Sequence, residues 1–199
     1  MLLEAKNVFF RYNKKGRWIL ENISFTMDNT QRIGIIAPSG FGKTTLCKLL
    51  SGYIKPTSGN ILLNGKPLPQ KGYCPVQMIW QHPDLAVNPK LIMKEVLAEG
   101  NEISKEIISA LGIQQQWLYR FPHTLSGGEL QRFCIARALG KGTQFLLADE
   151  ITTMLDLITQ SQIWHFLLQE LDKRKIGLLV VSHDIDLLKQ ITTEQIYLK

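Results

Sequence analysis

Residues 38–44 have the sequence PSGFGKT, and this glycine-rich stretch decides the fold. A short apolar segment, residues 32–37, leads into it, and a segment with leucines at positions 46, 49 and 50 follows it. Strand, glycine-rich loop and helix in this order are what a phosphate-binding loop requires, because the loop N–H groups and the positive end of the helix must both face the phosphates. The sequence therefore predicts such a loop here.

The loop fits the pattern G-x-x-x-x-G-K-[ST] except at its first position, where the chain has Ala37. Lys43 would reach the β- and γ-phosphates of a nucleotide, and the Thr44 hydroxyl would bind the Mg²⁺ that bridges them. Because alanine is the smallest substitute for glycine, we expect the loop to bind nucleotide; the alternative is a chance glycine-rich turn. The residues expected to contact nucleotide are Ala37, Pro38, Ser39, Gly40, Phe41, Gly42, Lys43, Thr44 and Thr45.

The remaining periodicity predicts an α/β fold with a phosphate-loop NTPase core. Near-alternation of apolar and polar residues over 3–12 and 19–27 predicts an N-terminal antiparallel β subdomain. Short apolar segments at 76–80, 145–148 and 178–181 predict a parallel sheet, because a helical stretch separates the last two.

A helical pattern replaces the strand pattern from about residue 89 to 139, which predicts an inserted α-helical lobe. Apolar residues at 96–97, 103, 107–108 and 111 are spaced for one buried helix face before Gly112. We predict a single domain over residues 1–199, with a last edge strand at 195–198 and no extension after it.

Composition excludes several classes of protein. The net charge of +6 is scattered along the chain, so we expect no nucleic-acid partner. Cys47, Cys74 and Cys134 lack the spacing of a zinc site and suit a reducing compartment. No stretch approaches the roughly 18 apolar residues of a membrane helix, and no signal peptide is expected after Met1.

Two further segments resemble one family of phosphate-loop proteins. Residues 125–132, LSGGELQR, resemble the signature sequence of ATP-binding-cassette (ABC) ATPases, and residues 145–150, FLLADE, resemble their Walker B strand. The resemblance covers nearly the whole chain. It implies an ATPase that uses ATP and Mg²⁺, whereas the loop alone leaves kinases, GTPases and motor ATPases open.

The resemblance implies roles for residues that follow the predicted core strands. Asp149 would hold the metal, and Glu150 beside it would be the general base that deprotonates the attacking water. Gln81 matches the glutamine that binds metal and water and reports to the membrane subunit. His183 matches the switch histidine that contacts the γ-phosphate, whereas His82, His123 and His165 have no such placement. Thr44, Gln81 and Asp149 are thus the expected metal residues.

The signature segment implies a second copy of the fold. Its serine and glycines at a helix start would form an anion site for the γ-phosphate held by another cassette. A plain helix N-cap is the alternative. Asp156 matches the D-loop, which crosses the dimer interface, and Ile151 stands where the family usually has proline, so we expect a looser turn there. The signature residues expected to contact nucleotide are Ser126, Gly127, Gly128 and Glu129.

Tyr12 lies at the position of the aromatic residue that stacks on adenine in this family, and Trp18 is the weaker rival. For both residues, simple packing is the alternative.

Softer similarities at 77–83, 86–90, 121–123 and 155–157 resemble the peptide and nickel importer group. This implies a subunit on the cytoplasmic face of the membrane that energises import of peptides, nickel or a metal chelate. Its expected partners are integral-membrane permeases, a second ABC ATPase subunit in a homo- or heterodimer and, indirectly, a substrate-binding protein. The alternatives are a soluble ABC ATPase outside transport and a degenerate subunit that binds ATP without hydrolysing it.

Overall fold

The computed structural model describes residues 1–38 and 40–198; Ser39 and Lys199 lie outside the described residues. Two β-sheets and a group of helices make up this part of the chain. The strands, in chain order, are β1 (Leu2–Phe10), β2 (Leu20–Asp28), β3 (Arg32–Ile36), β4 (Ser58–Leu63), β5 (Lys66–Pro67), β6 (Val76–Ile79), β7 (Phe145–Asp149), β8 (Gly177–Val181) and β9 (Glu194–Tyr197).

The first sheet is antiparallel, with the strand order β2-β1-β4-β5. Leu3 of β1 pairs with Met27 of β2 on one side and with Leu63 of β4 on the other. Leu3 and Met27 are fully buried, so this sheet covers part of the core. The predicted N-terminal antiparallel subdomain is therefore confirmed.

The second sheet is parallel, with the order β6-β7-β8-β3-β9. Its central strands are apolar on both faces, as expected of a parallel sheet that is covered on both sides. In β7, Phe145 and Leu147 face the core shared with the antiparallel sheet, and Leu146 and Ala148 face the core shared with the helices. The alternation follows from the two-residue period of a strand. The α/β fold class is confirmed, with β9 at the predicted edge.

The helices cover the faces of the parallel sheet. Ser104, Ser126, Asp156 and Asp184 each cap one of them, accepting a hydrogen bond from the backbone N–H three residues later. The α-helices, in chain order, are α1 (Lys43–Leu50), α2 (Met93–Ala98), α3 (Lys105–Ala110), α4 (Gly127–Ala138), α5 (Leu157–Arg174) and α6 (Ile185–Ile191), with short 3-10 helices at Pro83–Leu85, Gln115–Tyr119 and Pro122–Thr124.

The apolar residues between 96 and 111 pack on one core, as their spacing predicts, but they belong to two helices, α2 and α3. The helical conformation is interrupted at Gly100, where a side chain would come within 2.6 Å of the Arg137 carbonyl oxygen. Asn101 and Glu102 follow with φ angles of 54°, which are incompatible with a right-handed helix. Within residues 1–38 and 40–198, no helix is both long and apolar enough to cross a membrane.

Candidate functional site

The parallel sheet brings the predicted site residues to one edge. The loop with Gly42 follows β3, Gln81 follows β6, Glu150 follows β7 and His183 follows β8. These strands are neighbours in the order β6-β7-β8-β3 and run in the same direction, so their carboxyl ends meet. The edge at which the strands end is where open α/β sheets bind their ligands.

The glycine-rich loop has the backbone that its sequence predicts. Gly40 and Gly42 have φ angles of 82° and 78°, in the left-handed region that favours glycine. A side chain at position 42 would also come within 3.0 Å of Ile19 and Leu20. Gly42 precedes α1, so the free N–H groups of the first helical turn lie at the loop. Such a turn can hold a phosphate group.

Lys43 begins α1 and is only 7% exposed. Its ammonium group donates to the carbonyl oxygens of Ala37, at 2.8 Å, and Pro38, at 3.1 Å. The lysine charge therefore lies inside the loop. Ala37 itself is buried, at 8% exposure, and its carbonyl oxygen is one of the two acceptors of the lysine.

Asp149 is the last residue of β7 and is 3% exposed. Burial raises the pKa of its carboxyl and the neighbouring Glu150 charge raises it further, while the Thr44 hydroxyl and the Lys43 charge lower it. Lys43 is hydrogen-bonded to carbonyl groups, and among the described residues Asp149 forms no ion pair. This carboxylate beside the Thr44 hydroxyl is the oxygen donor set that Mg²⁺ prefers.

Glu150 is held by two of the other predicted residues. Gln81 Nε2 donates to Glu150 Oε2 at 2.7 Å, and His183 Nε2 lies 3.0 Å from Glu150 Oε1. The Glu150 side chain is 14% exposed, whereas that of His183 is 56% exposed. Glu150 has a φ angle of 49°, which is uncommon for a residue with a side chain. The structure thus brings Gln81, Glu150 and His183 into one hydrogen-bonded cluster.

Tyr12 lies beside α1, because its hydroxyl is 3.1 Å from the Thr45 hydroxyl. Its ring packs edge-on against Phe10 and is 60% exposed. Trp18 has different surroundings: the Arg11 guanidinium lies 4.3 Å from the centre of its ring, and Phe9 packs against it edge-on. Of the two aromatic candidates, Tyr12 is the one that contacts the phosphate-loop helix.

The signature residues lie at the start of α4 and do not join this cluster. Ser126 accepts from the Glu129 N–H at 3.3 Å, and Glu129 accepts from the Ser126 N–H at 2.7 Å, forming a capping box. The Ser126 N–H lowers the pKa of the Glu129 carboxyl. Ser126 and Gly127 are exposed, so the start of α4 faces away from the core.

The D-loop packs against the same place. A side chain at Gly127 would meet the Met154 sulfur at 3.2 Å, and one at Gly128 would meet Leu155 at 3.0 Å. Asp156 follows and caps α5. The signature segment and the D-loop therefore form one surface.

Hydrogen bonds surround the turn at Ile151. The Thr153 hydroxyl donates to the Glu150 carbonyl at 3.1 Å, and the Trp164 indole donates to the Thr152 hydroxyl at 3.3 Å. Ile151 is buried in the core, where an apolar side chain can replace proline as a packing residue. Ser39, the remaining predicted contact, lies outside the described residues.

A family profile and an individual protein both match this sequence. Residues 20–153 match the profile of the ABC transporter family. The nickel import system ATP-binding protein NikE of Staphylococcus aureus is 31% identical over 211 aligned positions, which cover 100% of this chain and 87% of that protein.

Solved structures share the fold. The dimeric ATP-binding cassette MJ0796 in a post-hydrolysis state with ADP and Pi superimposes with a TM-score of 0.82 at 24% identity, over 99% of this chain and 94% of that one. CbiO1 from Clostridium perfringens, part of the ABC transporter complex cbiONQ, superimposes with a TM-score of 0.76 at 23% identity, over 99% and 84% of the two chains.

Proposed function

The chain belongs to the ABC transporter family of ATP-binding proteins, and from this premise we propose that it hydrolyses ATP to energise an importer. The cluster of Gln81, Glu150 and His183 carries the proposal. It lies at the carboxyl ends of strands adjacent to the phosphate loop, where an attacking water and the γ-phosphate would meet. The active unit is then a pair of cassettes that close on ATP and reopen after hydrolysis.

The loop residues bind the triphosphate in this proposal. The backbone N–H groups around Gly40 and Gly42 and the first turn of α1 donate to the phosphate oxygens. Lys43 moves its ammonium group from the carbonyl oxygens of Ala37 and Pro38 to the β- and γ-phosphates, since an anion is the stronger acceptor. Tyr12 stacks on the base.

Glu150 is the general base that accepts a proton from the attacking water, and its half-buried carboxylate suits that role. Gln81 positions the carboxylate and the water, and the exposed His183 would turn from Glu150 to donate to the γ-phosphate. Thr44, Gln81 and Asp149 would hold Mg²⁺, which neutralises charge on the β- and γ-phosphates when bound.

The second half of each site comes from another cassette in the proposed assembly. The exposed start of α4, with Ser126, Gly127, Gly128 and Glu129, would face the γ-phosphate of the partner, and Asp156 would lie at the interface. MJ0796 offers a precedent, since its cassette is dimeric with ADP and Pi bound. Permease subunits would hold the pair at the cytoplasmic face of the membrane, as the place of CbiO1 in a transporter complex suggests.

Nickel is the cargo that the sequence relatives favour. The nickel import protein NikE of Staphylococcus aureus is similar over the whole of this chain. We therefore propose import of nickel, free or chelated, ahead of peptides.

Glu150→Gln tests the proposal, because it keeps the size of the side chain and removes the base. We expect ATP binding to remain and the turnover number of the purified transporter to fall at least about 100-fold, the contribution of a general base. Nickel uptake by cells that carry the variant should fall with it. Glu102→Gln is the matched control, since that side chain is 71% exposed in an ion pair with Lys141.

Each outcome decides one element of the proposal. Turnover close to wild type in Glu150→Gln would remove Glu150 as the base. Lost turnover with unchanged nickel uptake would exclude nickel as the cargo. A wild-type chain that binds ATP but never hydrolyses it, even with its membrane partners, would indicate a degenerate subunit.

A further inference from the structure

Three side chains of α4 donate to the backbone that follows β6. Gln131 Nε2 donates to the Trp80 carbonyl at 3.2 Å, and Arg137 donates to the Ala86 carbonyl at 2.7 Å. Between them, the Cys134 thiol lies 3.9 Å from the Pro83 carbonyl. Residues 131, 134 and 137 are spaced three apart and share one helix face, and the acceptors at 80, 83 and 86 have the same spacing. The helix therefore holds residues 80–86 at regular intervals.

Gln131 stands out in this row because it is 1% exposed. Its neighbours on α4 that face the core are apolar, among them Leu130 and Phe133. Its Oε1 has no hydrogen-bond partner among the described residues. A buried amide with an unpaired oxygen costs free energy relative to an apolar side chain, so packing alone does not explain a glutamine here.

The group that accepts the Gln131 hydrogen bond explains why a glutamine lies at this position. The Trp80 carbonyl is the backbone group directly before Gln81, and Gln81 donates to Glu150. The Trp80 ring is held from the other side, with the Lys48 ammonium of α1 4.6 Å from its centre. Residue 80 is thus fixed between the signature helix and the phosphate-loop helix.

We infer that Gln131 is a positioning residue for Gln81: its bond to the Trp80 carbonyl sets where the Gln81 amide meets the Glu150 carboxylate. The inference rests on the proposed function, in which Glu150 is the base. It also connects the signature segment to Glu150 through α4, because Ser126 caps the same helix that carries Gln131. A shift of α4 when a partner cassette docks would move residue 80 and, with it, Gln81.

Gln131→Met tests this, because methionine has a similar length and no amide. We expect kcat for ATP to fall about tenfold, since misplacing a group next to the chemistry by an ångström or less costs on that order, while KM for ATP stays within about twofold. Gln169→Met is the matched control, because Gln169 is an exposed glutamine on α5 that bonds only His165 among the described residues.

Hydrogen exchange gives a readout that does not need turnover. The N–H groups of Leu85 and Ala86 donate to the His82 and Pro83 carbonyls, so their exchange with solvent should be slowed. In Gln131→Met we expect these amides to exchange at least about fivefold faster, with exchange in α1 unchanged, because protection reports local opening. Gln169→Met should leave both regions as in wild type.

The outcomes separate this inference from the proposed function. Unchanged exchange at Leu85 and Ala86, or kcat within twofold of wild type in an active transporter, would overturn the positioning role. Wild-type protein without any turnover would contradict the proposed function instead, and exchange would still decide whether Gln131 holds residues 80–86. A rise in KM equal to the fall in kcat/KM would assign Gln131 to nucleotide binding and also overturn the inference.

Discussion

The phosphate loop and the start of α4 satisfy their polar groups in different ways. At the loop, the buried or half-buried charges of Lys43, Asp149 and Glu150 are surrounded by groups of the same chain. At the start of α4, the side chains of Ser126 and Glu129 bond each other's backbone N–H groups and remain near solvent. The polar groups of the first region are therefore bonded within the chain, whereas the second region is an outward-facing surface.

The neighbourhood of α4 strengthens the contrast. Met154, Leu157 and Ile158 follow Glu150 closely in sequence and are 45%, 81% and 72% exposed. Grouped exposed apolar side chains next to a polar helix start are typical of an interface. In the proposed assembly, the loop half of the site is therefore built within one chain, whereas the signature half would meet its ligand across the interface with a partner.

Ser126→Asp should produce the largest effect, because it tests whether the start of α4 is more than a helix cap. Aspartate caps a helix as well as serine, so stability should stay within about 1 kcal/mol of wild type. A negative charge opposite the proposed γ-phosphate should nevertheless lower turnover at least about 100-fold. Steady-state ATPase assays and thermal melts measure the two quantities.

Ser126→Ala is the complement, since it removes the cap without adding charge. It should cost about 1 kcal/mol of stability and reduce turnover less than the aspartate variant. If Ser126→Asp hydrolyses ATP normally, the segment serves only as a helix cap. The start of α4 would then not be half of a nucleotide site.

Asp149→Asn should produce an intermediate effect, and the quantity it changes is stability. The wild-type carboxylate is desolvated, and an amide of the same shape removes that cost. We expect the nucleotide-free protein to melt about 2–8 °C higher, the range for about 1–2 kcal/mol in a chain of this size. Added MgATP should raise the melting temperature of wild type more than that of the variant. A lower melting point in the absence of nucleotide would show that the Asp149 charge is well paired without metal.

The same contrast explains how much the sequence could predict. Residues that chemistry fixes at strand ends, such as Asp149 and His183, are visible because an apolar strand stops at a polar residue. Their spatial proximity cannot be predicted from the sequence pattern. Gln81 and Glu150 are 69 positions apart and meet because β6 and β7 are neighbours in the sheet. Strand order is a tertiary property that local patterns do not carry.

Helix boundaries show a second limit. The apolar spacing through residues 96–111 fits one helix, yet close packing of Gly100 on the Arg137 carbonyl splits it. Helix α6 was not predicted at all, although Asp184 is a good cap for it. Gln131 was missed among the site residues; the available signal was a glutamine at a position where the helical period predicts an apolar side chain.

Tyr12 should give the smallest effect and tests the exposed edge of the phosphate-loop region. Replacing Tyr12 with leucine removes a ring that can stack on the base, so ATP affinity should fall about threefold to tenfold. Tyr12→Phe should stay within about twofold of wild type in ATP affinity, because the bond to Thr45 is lost but the ring remains. Trp18→Leu is the control, since Arg11 covers one face of that ring.

Equilibrium titrations with ATP and with inorganic tripolyphosphate separate stacking on the base from phosphate binding. Tyr12→Leu should lower the affinity for ATP and leave the affinity for tripolyphosphate unchanged. Equal weakening for both ligands would mean that Tyr12 supports the phosphate-loop helix through Thr45 and does not touch the base.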